Sequence, residues 1–210
     1  AMYTGEKVAL PDACDRVQPA PGAPVWSAMQ LEARCRMQAE VRWWVRERQI
    51  ANGEFGGKLG DDVELLRAWH PLILWGDTVA LRGYRTLADG VWQSDQIEDG
   101  YAAKVSDVEH ASEFIADTAP AMALFSDDPA YTDRLRPSAR HFERLWTGVT
   151  PHGHRFFRSA WFSATEVETE PPKNRDVNYN TRAAKALRFL AHETGDATVT
   201  GLLHEWSRAW

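Results

Sequence analysis

The sequence predicts an all-α fold, made of antiparallel αα-hairpins. Three observations carry this. Apolar residues recur at helical spacing along most of the chain after residue 25. The breaks between those stretches are short and marked by Gly, Pro and Asp. The alternation of a half-buried strand hardly occurs.

Residues 1–25 contain Pro11, Pro19, Pro21 and Pro24 without periodicity and read as an extended arm. The rest, 26–210, reads as a single helical domain. From Trp26 to about Ile50 a long helix places Met37, Val41, Trp44 and Val45 on one face, with Arg42, Arg46, Glu47 and Arg48 opposite. A glycine-rich loop spans 51–60. A helix over 62–75 follows, with Leu65, Leu66, Trp69, Leu72 and Ile73 at one-face spacing. In this reading Asp61 is its N-cap, and Glu64 completes a capping box. Another helix begins at Thr78 and runs to about Trp92.

After a polar loop over 93–105, Ser106 with Glu109 fits a second capping box. The helix it opens should kink or split at Pro120. Asp127-Asp128-Pro129 starts a further helix, with Pro137 as a second break and Gly148 as its end. Residues 149–177 lose the helical period and predict a long loop with short strands, including the Glu170-Pro171-Pro172 turn. Helices over 178–194 and 197–209, separated by Gly195-Asp196, close the chain. The total is about seven helices.

Composition narrows the function. The net charge is −6 and the Lys and Arg residues are scattered, which argues against nucleic acid as a partner. No apolar run approaches the roughly eighteen residues of a membrane span, so no membrane partner is expected. There is no signal peptide, and Ala1-Met2 looks like a cloning remnant, so the compartment stays open. Cys14 and Cys35 could pair, but they give neither a disulfide framework nor a metal spacing. His152-Gly-His154 has too few ligands nearby for a metal, and no cofactor is expected. Ten tryptophans are unusual; within helical patterns they read as core, the alternative being flat faces for stacking on sugar rings.

Four polar clusters stand out. They are Glu54 to Glu64; Asp107, Glu109, His110, Glu113 and Asp117; His152, His154, Arg155 and Arg158; and Arg175, Asp176, Asn178, Tyr179, Asn180 and Arg182. The first, second and fourth each sit where a loop enters a helix, so hairpin packing could bring them to one cleft. In the second, Asp107, Glu113 and Asp117 read as a solvated face. Glycoside cleavage needs two carboxyls, one protonated and one ionised, which Asp61 or Asp62 and Glu109 could supply. Elimination on a uronic acid polymer needs a Tyr or His to move the proton and cationic or amide groups on the substrate carboxylate. Tyr179, His110, Arg158 and Asn178 could serve there. A diphosphate-gripping Asp-Asp-x-x-Asp motif is excluded, because the fifth position is Leu65.

The stretch Asn52-Gly-Glu-Phe-Gly-Gly-Lys-Leu-Gly-Asp-Asp-Val-Glu64, with Asp107-Val-Glu-His110 and Leu190-Ala-His-Glu-Thr-Gly-Asp196, resembles the six-hairpin glycosidase-like superfamily of (α/α) toroid enzymes. The likeness spreads over residues 26–210. It implies a carbohydrate-active domain that cleaves an oligo- or polysaccharide by acid/base hydrolysis, or by β-elimination in a lyase. Asp61, Asp62, Glu109 and His110 are then the acid–base candidates. Glu54, Lys58, Arg158, Asn178 and Tyr179 are the substrate contacts. The resemblance implies a partial or complete (α/α) toroid-like array. A complete ring needs more helices than are read here, so the chain is either a portion of a larger enzyme, joined by further domains or by copies of itself, or a smaller helical domain with similar hairpins. The competing expectation is a non-catalytic helical module whose Trp-rich faces form an interface.

Overall fold

Asp77 shows how the helices are tied together. Its buried carboxylate caps α4 (Thr78–Gln93), accepting from the backbone N–H of Val79 and Ala80 at 3.0 Å each. The same carboxylate accepts from Gln38 at 3.1 Å and pairs with Arg42 at 3.0 Å, both on α1 (Val25–Trp43). One acid thus starts one helix and clamps another. The computed structural model describes residues 20–210. Most of the predicted 1–25 arm therefore lies outside the described residues.

The described residues are mostly helical, 59% helix against 8% strand, in keeping with the predicted all-α class. Helix α1 ends in a π-helical turn, Trp44–Arg48. The predicted 62–75 helix is three pieces: α2 (Leu59–Val63), a 3₁₀ turn (Glu64–Ala68) and α3 (His70–Leu74), which carries Pro71 in its first turn. Pro71 has no N–H to extend the preceding helix, and the tighter turn absorbs the mismatch. The Asp61–Glu64 capping box does not form, because α2 begins upstream with Lys58 at its N-cap and no side-chain cap.

Three two-stranded pieces interrupt the helices. β1 (Ile97–Glu98) pairs with β2 (Tyr101–Ala102), and Asp99-Gly100 turns between them with φ of 42° and 74°. β3 (Ser106–Asp107) pairs antiparallel with the distant β6 (Trp161–Phe162). β4 (Thr147–Val149) pairs with β5 (Arg155–Phe157), so much of the predicted long loop is a hairpin.

Helix α5 (Val108–Ala116) is capped by Asp107, not by Ser106; its Oδ1 accepts from Glu109 at 3.0 Å and His110 at 3.3 Å. Pro120 does split this region, since it lies in the first turn of α6 (Ala119–Phe125). Asp128 caps α7 (Pro129–Asp133), and Pro137 begins α8 (Arg136–His141), which runs on as a π-helical turn to Trp146. A 3₁₀ turn, Asn178–Arg182, precedes α9 (Lys185–Thr194). Gly195, at φ 65°, ends α9 in the left-handed conformation, and Asp196 caps α10 (Ala197–Ser207).

The core runs continuously from Val63, Leu66 and Leu72 through Tyr84 and Leu87 to Ile115, Met122, Leu135 and Leu187. At one end it is aromatic, with Trp146 against Tyr101 at 4.3 Å and Phe162 at 5.0 Å between ring centres. Of the ten tryptophans, Trp69, Trp146 and Trp206 are buried, while Trp26, Trp75 and Trp210 are exposed. Cys35 is disulfide-bonded, and Cys14 is the other cysteine of the sequence.

Candidate functional site

A cleft of about 1030 Å³ opens between the 51–61 loop with α2, the second half of α4 with the turn after it, and α5. Two glycines bring the first two walls together. A Cβ on Gly90, inside α4, would fall 1.7 Å from the carbonyl oxygen of Asn52. One on Gly53, where φ is +93°, would fall 2.4 Å from the Cα of Leu87. The loop therefore lies directly on the helix backbone, a contact that side chains would prevent.

Phe55 and Asp62 fix the far end of that loop. The Phe55 ring is buried against Trp69, 5.3 Å between centres, and its N–H donates to Asp62 Oδ2 at 2.7 Å. Asp62 is itself buried and is not on the cleft wall. Its neighbour Asp61 is exposed and lines the cleft, with Glu54 and Lys58. Glu54 accepts from the Asn52 amide at 3.0 Å.

From α5 come His110, Glu113 and Phe114. His110 Nδ1 lies 2.8 Å from Asp107 Oδ2, and this hydrogen bond raises the imidazole pKa above its usual value. The Glu113 carboxyl is the anomaly. Its residue is only 6% exposed, and among the described residues it has neither a hydrogen bond nor an ion pair. Burial pushes its pKa up to about 7, and nearby His110 and Arg182 only partly offset that. Gly60 makes room for it, since a Cβ there would sit 2.5 Å from Glu113 Oε1. The carboxyl of Glu113 thus rests on the peptide that leads into Asp61.

One turn to either side of Glu113 along α5 the acids are paired. Asp117, 5% exposed, accepts from Arg67 at 3.0 Å and Arg182 at 2.5 Å, with Lys185 Nζ at 3.8 Å. It sits at the C-terminal end of α5, where the helix dipole disfavours negative charge and cations are needed. Burial lowers the Lys185 pKa. Glu109 joins the same network, accepting from Tyr179 Oη at 3.0 Å and Arg182 at 3.5 Å.

Three of the four sequence clusters thus meet around α5. Asp61, His110, Glu54 and Lys58 face the cleft, whereas Glu109 and Tyr179 bond to each other and are not among its lining residues. Asn178 is exposed at the start of its 3₁₀ turn, also off the cleft wall. Arg158 is exposed just beyond β5, at the hairpin whose Arg155 pairs with Glu205 at 2.9 Å. No tryptophan lines the cleft; Phe114 is its aromatic wall residue. Among the described residues no group of three His, Cys, Asp or Glu is placed to hold a metal ion. No helix there is long and apolar enough to cross a membrane.

Glu113, Asp89 and Asp95 belong to the wall and were not candidates from the sequence. Glu113 and Asp117 are buried, not on a solvated face as expected, because α5 packs against α2, α4, α6 and α9. The usable signal was the i, i+4, i+8 ladder Glu109–Glu113–Asp117 on so apolar a helix. No family model, curated protein or solved structure matches the chain.

Proposed function

We propose that the cleft cleaves glycosidic bonds by acid/base hydrolysis, with Glu113 as the general acid and Asp61 as the ionised partner. One observation carries the reading. A carboxyl without a partner, buried in a cleft wall, holds its proton up to about pH 7, and a solvated carboxylate follows directly on the loop that touches it. Glycoside hydrolysis needs that division: the acid protonates the departing oxygen, and the base activates water or attacks the sugar carbon. His110, held by Asp107, stands at the edge of the cleft as a positioning group. The helical hairpins would then be a portion of an (α/α) toroid, as the sequence resemblance suggests.

Elimination on a uronate fits the cleft less well, since among the described residues Lys58 is its lone Lys or Arg and Arg158 lies elsewhere. The test is release of reducing ends from a panel of neutral and charged oligosaccharides by wild type, Glu113→Gln and Asp61→Asn. Cleavage lost in both variants with melting unchanged supports the reading. Cleavage by Glu113→Gln at the wild-type rate, an unsaturated product absorbing in the ultraviolet, or no cleavage of any glycan overturns it.

A further inference from the structure

We propose that the cleft selects a glycan bearing positive charge, a polymer of sugars with free amino groups, over neutral or uronic acid polymers. The inference rests on the hydrolytic reading and names its substrate class.

Charge on the walls carries the argument. Glu54, Asp61 and Asp95 all line the cleft, and none is in an ion pair. Two of them accept only from neutral amides, Glu54 from Asn52 at 3.0 Å and Asp95 from Gln96 at 2.8 Å, which leaves their charge uncompensated. Asp89 is different, since Arg134 neutralises it at 2.7 Å and Tyr131 donates to it. On the positive side Lys58 stands without an ion pair, and His110 is already matched by Asp107. Among the described residues, three free carboxylates against one free cation make the hollow a negative field, which concentrates cations.

Placement sharpens this. Glu54 and Asp61 line the cleft from the loop and the start of α2, while Asp95 lines it from the turn after α4. Glu113 lines the same cleft from α5, buried and, among the described residues, without a hydrogen bond or ion pair. A ligand with several ammonium groups could answer both walls at once, each group donating up to three hydrogen bonds. A chelated metal ion is a poor match, because the described acids form no three-ligand group. A uronate would bring more negative charge to acids that already lack partners.

The test uses the Glu113→Gln chain, so that binding is read apart from turnover, titrated calorimetrically at low ionic strength and about pH 6, where sugar amines are charged. Its probes are a glucosamine hexamer, the fully N-acetylated hexamer, hexagalacturonate and hexalysine. The glucosamine hexamer should bind about tenfold tighter than the acetylated one or better, lose that margin in salt, and lose it in the Glu54→Gln/Asp95→Asn double variant. Hexagalacturonate should bind weakest.

Equal or tighter binding of the acetylated hexamer or hexagalacturonate overturns the proposal, as does a preference that survives in the double variant. Hexalysine binding as tightly as the glucosamine hexamer overturns it too, by showing a general polycation site. If wild type still cleaves a neutral glycan in those cases, the hydrolytic reading stands alone. If no oligosaccharide binds or is cleaved, both fall.

Discussion

Helix α5 carries two buried acids that lie one turn apart and live in opposite surroundings. Asp117 is met by two arginines and a lysine; Glu113 by no cation within ion-pair distance. Both are almost completely buried, at 5% and 6% exposure, so burial alone does not distinguish them. The difference lies in what arrives from other elements. A paired buried charge holds structure, and removing one partner strands the rest. An unpaired buried carboxyl takes up a proton instead, and a proton held near neutral pH can be given away.

The sharpest way to break this comparison is to remove each acid. Glu113→Gln should lower glycan cleavage about a hundredfold to ten-thousandfold, the contribution of a general acid, while leaving the fold at least as stable. Kinetics alongside a thermal melt would show it, and a large loss of stability would mean that Glu113 is structural after all. Asp117→Ala should do the reverse, costing about 3–5 kcal/mol in denaturant unfolding because Arg67, Arg182 and Lys185 lose their shared partner. A loss below about 1 kcal/mol would place that network among weak surface pairs.

Titration sharpens the contrast further. The folded-state pKa of Glu113 is raised from 4.5 to about 7, so below the lower value both states are protonated and it has no effect on stability. Between the two the folded state keeps a proton that the unfolded chain has released, and stability falls as pH rises through that window. His110, whose pKa is also raised, shifts stability in the same direction, so the measurement is a difference between wild type and Glu113→Gln. Unfolding free energies that run parallel for the two proteins from pH 4.5 to 7 would contradict the raised value.

A smaller effect tests the geometry. Gly60→Ala places a Cβ 2.5 Å from Glu113 Oε1 and should displace that carboxyl, costing about 1–3 kcal/mol and shifting the alkaline limb of the rate profile, where the general acid loses its proton. An unchanged profile would mean that Glu113 finds another position at no cost. Smallest should be Tyr179→Phe, which deletes the hydroxyl shared with Glu109 and Arg182 at an exposed edge. It should cost about 0.5–1.5 kcal/mol and leave cleavage untouched; a lost activity would bring Tyr179 back as a site residue.

Some features were legible before the structure because they depend on neighbours along the chain. Helical periodicity marked the helices, and Pro120, Pro137 and Gly195 marked breaks at the right places. The loop from Asn52 to Asp61 was likewise marked as unusual by its glycines and acids, and it forms a wall of the cleft. The capping boxes failed for a local reason that spacing could not resolve: Asp107 competes with Ser106 one residue away, and α2 starts before Asp61.

The class of fold and the address of the acid-rich loop were determined by the sequence itself, through residue spacing and the backbone limits of proline and glycine. Which acid holds a proton was decided only by the tertiary structure. Nothing in the sequence marks Glu113 out from the other acids of α5, yet among the described residues it alone of Glu109, Glu113 and Asp117 receives no hydrogen bond or ion pair. A carboxyl's ionisation depends on the dielectric and charges within a few ångströms, and here those come from Gly60, Arg67 and Arg182, which only folding brings to α5.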